Sequence, residues 1–533
     1  MNINLTKIFN SNWFFLSALG FVFVLPLSEG LVSVVAGIML LMALIEDSWQ
    51  NKKKRLLLNR YLLFIPAIFM IYLISSALTY KNGEPFYDLR KTLFYLVIPL
   101  AFIFGKSFTK FQQRVLFFSF ATAVIISTCV GIINWISHND TVGFSVHNIS
   151  LVSHIRFSFQ LIFVFWFLIL FFQYNRNQFP SWQNILMITV AIYILSFLFF
   201  QQSLTGIIAF ASSVIFYLGY QVFQIKSGKR YLLLILLVVA IVSPVIYIAS
   251  VIHKFYSFEK VNENTIEKTT SRGNVYIHDF NNPMVENGNY VYLYLCPKEM
   301  REEWNKLSDI KYDSITVTGY PVSASLIRYL TSKGLRKDAD GVHSLTENDR
   351  KNIEKGMSNV IFTKKKYSLY PRIYQTIWEY YVYSVTGNPN NQSFSQRIEF
   401  AKAAIYIIKN NFWFGVGTGH WRQEFKNAFN KNNSQLSEDL YASSHNQYLN
   451  YMVKFGITGF ILILFFLIYP VIKTKSYQDL LFIILLVFMF LANFADSNLE
   501  SHMGSSFFLF FYSFFLVSKN NSWLKLEKEK STE

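Results

Sequence analysis

Leu161–Phe172, Tyr231–Ser250 and Leu480–Phe494 carry apolar side chains on every face. A helix in a water-soluble fold keeps a polar side, whereas one surrounded by lipid needs none. Twelve such stretches recur, near residues 13–28, 30–45, 61–78, 92–104, 115–137, 155–173, 183–200, 203–220, 231–252, 447–471, 479–495 and 503–518. Only 15% of the chain is charged, against about 25% in an ordinary soluble protein. These features predict an all-α polytopic membrane protein of about twelve transmembrane helices. One large outward loop interrupts it, expected to hold a small α+β insertion and an amphipathic helix.

Lys and Arg positions orient the chain, because short cytoplasmic loops collect them. With the N-terminus inside, the inward segments hold Lys7; Lys52, Lys53, Lys54, Arg55 and Arg60; Lys106, Lys110 and Arg114; Arg176; Lys226, Lys229 and Arg230; Lys473 and Lys475; and Lys519, Lys525, Lys528 and Lys530. The short outward loops hold only Lys81, Arg90 and Lys91. Both termini are therefore expected in the cytoplasm, with residues 253–446 outside. The net charge of +17 is mainly this topology signal. Nucleic acid is excluded as a partner, because the inward loops are too short to build a reading surface. The first apolar stretch lacks a cleavage site leading into a soluble domain and is expected to stay as a helix.

These breaks divide the chain into a nine-helix bundle (1–252), the outer loop (253–446), three C-terminal helices (447–518) and a cytoplasmic tail (519–533). Within the loop, 254–366 mixes strand-like stretches (Asn289–Cys296, Ser314–Thr318) with charged helical ones, whereas 370–446 reads as helical and aromatic. Ser395 and Glu399 mark a helix start, followed by an apolar stripe of Phe400, Ala403, Ala404, Ile407 and Ile408. That stripe is expected to lie on the membrane surface or on the bundle. Cys296 is the loop's only cysteine and the other, Cys129, falls in the fifth span, so the loop cannot hold a disulfide framework.

Several polar residues stand where chemistry at a membrane surface would need them. Arg397 begins the amphipathic helix, and its planar guanidinium can grip a phosphate with two donors; salt bridging is the competing role. His445 precedes the tenth span, where a neutral imidazole can accept a proton from a hydroxyl; capping the helix is the alternative. Asn446 either orients that ring or a sugar, or caps the helix. Arg156 lies about one turn inside the sixth span, a costly position that marks function unless the side chain snorkels. His154 stands beside it. Gly415-Val416-Gly417-Thr418-Gly419 follows no β-strand, which argues against a nucleotide loop. Asp496-Ser497-Asn498-Leu499-Glu500-Ser501-His502 lies outside between the last two spans. It lacks metal-ligand spacing, but Glu500 could contact a sugar.

In order and spacing, Arg397, Asn411–Gly419, His445-Asn446-Gln447-Tyr448-Leu449 and Phe455-Gly456-Ile457-Thr458-Gly459 resemble the O-antigen ligase family of glycan transferases, which also includes O-antigen polymerases and protein O-oligosaccharyltransferases. The resemblance implies an enzyme of the bacterial inner membrane. Its donor would be a polyprenyl-pyrophosphate-linked glycan, and its acceptor lipid A–core, a glycan repeat or a protein. It would need no cofactor and no metal. It further implies that Arg397 and Arg156 bind the pyrophosphate, that His445 is the catalytic residue, and that the glycine stretch is a structural turn. Relatives carry a Ser-Arg pair at a mid-chain helix start, where this chain reads Gln202-Ser203-Leu204-Thr205-Gly206. Among non-enzymes, a transporter of lipid-linked glycans is the competing class, although no internal repeat supports it.

Overall fold

In a computed structural model of the chain, residues 12–79, 85–138, 149–258, 261–365, 368–518 and 523–526 are described. Lys7, Lys81, Lys519, Lys528 and Lys530, with most of the expected cytoplasmic tail, lie outside them. Each expected span is a helix. The first half comprises α1 (Trp13–Val24), α2 (Glu29–Ile45), α3 (Trp49–Leu58), α4 (Phe64–Leu78), α5 (Pro85–Thr92), α6 (Phe94–Phe104) and α7 (Lys110–His138), followed by α8 (His154–Asn175), α9 (Ser181–Phe200), α10 (Leu204–Gln224) and α11 (Lys229–Tyr256).

Among the described residues, seven helical stretches are long and apolar enough to cross a membrane unaided, counting α4 with the 3-10 turn Arg60–Leu63 that leads into it, or up to eight if α2 and α3, bent by 113° at their junction, form one span. The remaining apolar helices are shorter: α1 and α6 here, and Leu480–Ala492 and His502–Ser518 near the C-terminus. At about 1.5 Å per residue these fall short of the ~30 Å hydrocarbon layer. The chain is thus a multi-pass, mainly helical membrane protein.

The described chain divides into two compact units. The first joins Met1–Ser137, Val146–Ala240 and Gln396–Glu533. Its core is rich in phenylalanine, with Phe117, Phe163, Phe507, Phe511 and Phe514 meeting ring to ring.

The second unit comprises His138–Ser145 and Ile241–Ser395. Within it lie a two-residue hairpin, β1 (Val285–Glu286) and β2 (Asn289–Tyr290), and then α12 (Pro297–Leu307), α13 (Val322–Ser332), α14 (Ala339–His343), α15 (Glu347–Glu354), α16 (Ile361–Lys364) and α17 (Tyr370–Thr386). Trp304, Leu326 and Tyr329 centre its core and are fully buried. Of the expected strands, Asn289–Cys296 keeps only β2 and the bridges of Leu295 to Ile277 and Lys337, and Ser314–Thr318 keeps only the bridge of Ile315 to Pro321. Tyr294 at φ +54° ends one extended run, and Gly319 at φ +87° turns the other.

The chain continues through α18 (Ser393–Asn410), α19 (Trp421–Lys431), α20 (Gln447–Thr474), α21 (Leu480–Ala492) and α22 (His502–Ser518). Helix α18 starts two residues before Ser395, whose hydroxyl donates to the Glu379 carbonyl at 2.9 Å rather than capping. Glu399 instead pairs with Lys402 at 2.9 Å. The stripe Phe400, Ala403, Ala404, Ile407 and Ile408 packs on Phe425, Ala428 and Phe429 of α19 and on Val453 of α20.

Candidate active site

Helix α20 breaks at Gly456, where φ is +63° and ψ −170°. In an unbroken helix the Ile457 and Thr458 amides would donate to the Val453 and Lys454 carbonyls. Here they donate to Phe412 O at 2.8 Å and Trp413 O at 3.3 Å. The freed carbonyls accept from Val416 at 2.9 Å and Gly417 at 2.8 Å. The glycine stretch thus plugs the helix break, and every exchanged backbone group stays satisfied, as a low-dielectric site demands. The approach leaves no room for side chains: a β-carbon at Gly456 would meet the Trp413 carbonyl carbon at 2.3 Å, and one at Gly415 the Lys454 carbonyl carbon at 2.5 Å. Beyond the plug, Thr418 N donates to Ser75 Oγ and Gly419 N to Thr79 Oγ1, both at 3.0 Å, fastening the turn to α4.

The N-terminal end of α20 is fixed just as firmly. Asn446 caps it, accepting from the Tyr448 and Leu449 amides at 3.0 and 3.1 Å while donating to Phe494 O at 3.1 Å. Gln447 N donates to Asn493 O at 2.9 Å, and Gln447 Oε1 accepts from Leu499 N at 2.8 Å. Asn450 donates to Ser497 Oγ at 2.6 Å. These bonds stitch the helix start to the 493–501 segment. His445, immediately before the cap, adopts φ +47°, a region non-glycine residues enter rarely and mainly where structure holds them.

That stitching sets Nδ1 of His445 at 3.2 Å from Asp496 Oδ1. The other carboxylate oxygen, Oδ2, lies 2.6 Å from Arg156 Nη2. One buried carboxylate therefore joins the two residues that sequence had singled out from opposite halves of the chain. Burial pushes the Asp496 acid up, but the His445 hydrogen bond, the Arg156 charge and the Ser497 amide outweigh it and bring it down to about 2. An ionised carboxylate only accepts, so Nδ1 of His445 carries the proton and, in the neutral ring, Nε2 offers its lone pair. The imidazole is 39% exposed, and Phe400 packs on it with ring centres 5.5 Å apart.

Arg156 also reaches Ser153 Oγ with Nη1 at 3.3 Å and Ser501 Oγ with Nε at 3.4 Å. Among the described residues three of its five N–H donors are thus engaged and two are not. His154 is the half-buried first residue of α8. Arg397 lies one turn before Phe400 on α18, half-buried, with no ion pair or hydrogen bond among the described residues. Among the described residues its charge has no partner, whereas that of Arg156 is offset by Asp496.

Glu500 is enclosed. It accepts from Tyr72 at 2.5 Å, Lys454 at 2.8 Å and Asn450 at 3.3 Å. Lys454 also meets Asp88 at 3.1 Å, completing a buried ion cluster under the site. His502 contacts Ser33 Oγ at 2.6 Å, and Ser203 caps α10 by accepting from Gly206 N at 3.3 Å. Sequence reasoning missed Asp496 and Lys454. A lone lysine in an apolar helix was the available signal for Lys454; nothing local distinguished Asp496 from Glu500.

Compared with known families, residues 357–464 match the model described as O-antigen ligase. The chain carries an O-antigen ligase family domain. No curated protein matches the chain. The O-antigen ligase domain contains Arg397, the glycine plug, the Gly456 break and His445, whereas Arg156, Asp496 and Glu500 come from outside its limits. Members of that family are glycosyl-transferring enzymes.

Proposed function

We propose that the protein transfers a glycan from a polyprenyl-pyrophosphate carrier to an acceptor hydroxyl at the periplasmic face of the bacterial inner membrane, acting as an O-antigen ligase with lipid A–core as acceptor. The observation that carries this reading is the shared carboxylate. Asp496 orders a family-domain histidine as a base and holds an arginine with two open donors beside it.

In the reaction, His445 Nε2 takes the proton of the acceptor hydroxyl. The acceptor oxygen bonds to the anomeric carbon of the donor as that carbon's bond to phosphate breaks. The pyrophosphate departs on its lipid, and its charge is met by Arg397 and the two remaining Arg156 donors. Asp496 keeps the ring in its productive tautomer and stabilises the imidazolium that forms. Asn446 and Glu500 act as scaffold, and His154 flanks Arg156. The leaving group is already activated, so neither a metal nor a nucleotide is required.

Twelve crossings with both termini in the cytoplasm agree with which loops meet. The expected outer segments touch one another, as in Ser153 with Glu29. So do the expected inner ones, as in Arg55 with Phe104 and Asn175 with Leu524.

Reconstituting purified protein with lipid-linked glycan and each acceptor class tests the reading. A new bond to lipid A–core is expected. A bond to a second repeat or to a protein would reassign the acceptor, and no bond with any acceptor would overturn the enzyme in favour of a transporter.

A further inference from the structure

The unit spanning Ile241–Ser395 contains a cavity of about 370 Å³ that no part of the proposed reaction uses. That size lies within the range of small-molecule sites, about 300–1,000 Å³. One wall is rigid. Arg328 donates to the fully buried Glu286 through Nε at 2.7 Å and Nη2 at 2.6 Å, and its guanidinium covers the Trp378 ring at 4.2 Å. Glu286 is held in turn by Asn359 at 2.6 Å and Tyr374 at 3.2 Å.

The mouth is different in kind. Tyr320 lines it, 58% exposed, and its hydroxyl has no hydrogen-bond partner among the described residues. Asn391 lines it with an exposed side-chain amide that also makes no hydrogen bond among the described residues. Glu379 adds a carboxylate, whose oxygens accept from Gln375 at 3.0 Å and from the Phe394 amide at 2.7 Å.

We infer that this cavity binds a neutral saccharide. A sugar presents an apolar C–H face beside hydroxyls that both donate and accept. An exposed aromatic ring and an unengaged amide lining one cavity match that pairing. An anion fits poorly, because Arg328 is already neutralised by Glu286 and Glu379 adds negative charge. The choice of a saccharide over another polar ligand rests on the glycan-transfer reading above. The sugar is a portion of the donor glycan or of the acceptor glycan, which share this chemistry.

Saturation-transfer NMR on the full-length protein in lipid nanodiscs tests the inference with three probes: glycan released by mild acid from the lipid-linked donor, delipidated core oligosaccharide, and inorganic pyrophosphate. At least one glycan should bind, and which one does identifies the source. Tyr320→Ala and Asn391→Ala should each weaken that binding about fivefold or more, the effect of losing roughly 1 kcal/mol. Both positions are exposed, so the fold should survive, and Tyr320→Phe should retain most of the binding because it keeps the ring. His445→Ala should bind the glycan undiminished while failing to transfer it. No signal from either glycan at millimolar concentration, binding unchanged in both alanine variants, or displacement of the glycan by pyrophosphate would overturn the inference. If transfer persists when cavity binding is absent, only this inference fails. If cavity binding persists but no acceptor is ever glycosylated, only the glycan-transfer reading fails.

Discussion

His445 and Asp496 meet across 51 residues of chain, Nδ1 to Oδ1 at 3.2 Å, and the contact fixes which ring nitrogen is free for chemistry. Asp496→Asn preserves shape but removes the charge that holds Nδ1 protonated and offsets Arg156. Transfer should fall roughly 10²-fold or more, with normal membrane insertion, when initial rates are measured in proteoliposomes. A variant with near-normal rates would reduce the carboxylate to packing.

The two arginines should behave differently from each other. Arg397→Lys keeps a cation but loses the planar fork, so transfer should drop strongly with expression intact. Arg156→Ala should also impair transfer, and in addition lower thermal stability in detergent, because it leaves Asp496 buried with one partner fewer. Near-normal transfer by Arg397→Ala would remove it from the anion site.

The helix break should be intolerant of side chains. Gly456→Ala meets the Trp413 backbone and forces alanine to φ +63°, a dihedral cost alone of about 1–3 kcal/mol. The melting temperature in detergent should fall clearly. Gly219→Ala, inside α10 where nothing lies within 4 Å of the added carbon, should not lower it.

Much of this fold was legible because lipid imposes a coarse rule: every apolar run is helical, whichever neighbours it later meets. The glycine plug was legible as a turn, but its partner was not, since pairing the Val416 and Gly417 amides with the Val453 and Lys454 carbonyls is a tertiary event. Arg156 stood out as a charge inside a span, and His445 by its place just before the tenth span in a stretch that resembles the family. Asp496 did not, because its value lies in what it bridges. The strand-like stretch 289–296 is a strand only over β2, because Tyr294 leaves the extended region and helices α12 and α13 supply the core instead. Ser395 and Glu399 likewise spelled a cap that tertiary hydrogen bonds diverted to other uses.

Orientation is open to a direct probe. Glu347 is 71% exposed in the Ile241–Ser395 unit, so Glu347→Cys should react with an impermeant thiol reagent once the outer membrane is permeabilised. Native Cys296 is buried and should contribute little. Labelling that needs inner-membrane lysis would place the loop in the cytoplasm and remove the periplasmic chemistry.

Acidity separates the roles in the site. Asp496 has its acid lowered to about 2, so the carboxylate and the stability it contributes persist above the ordinary value of 3.8 and are lost only as pH falls from there towards 2. A decline in rate on mild acidification therefore does not come from losing that carboxylate. Activity that instead rose on acidification would make His445 a phosphate-binding cation.

The most direct test is the single-turnover rate of His445→Ala in proteoliposomes preloaded with lipid-linked glycan, with donor binding measured in parallel. A general base contributes roughly 10²–10⁴-fold, so transfer should nearly vanish while donor binding stays at the wild-type level. His420→Ala, at the start of α19 beyond the glycine turn, should remain active. A His445→Ala protein that inserts normally and still transfers glycan at a tenth of the wild-type rate or more would contradict the account.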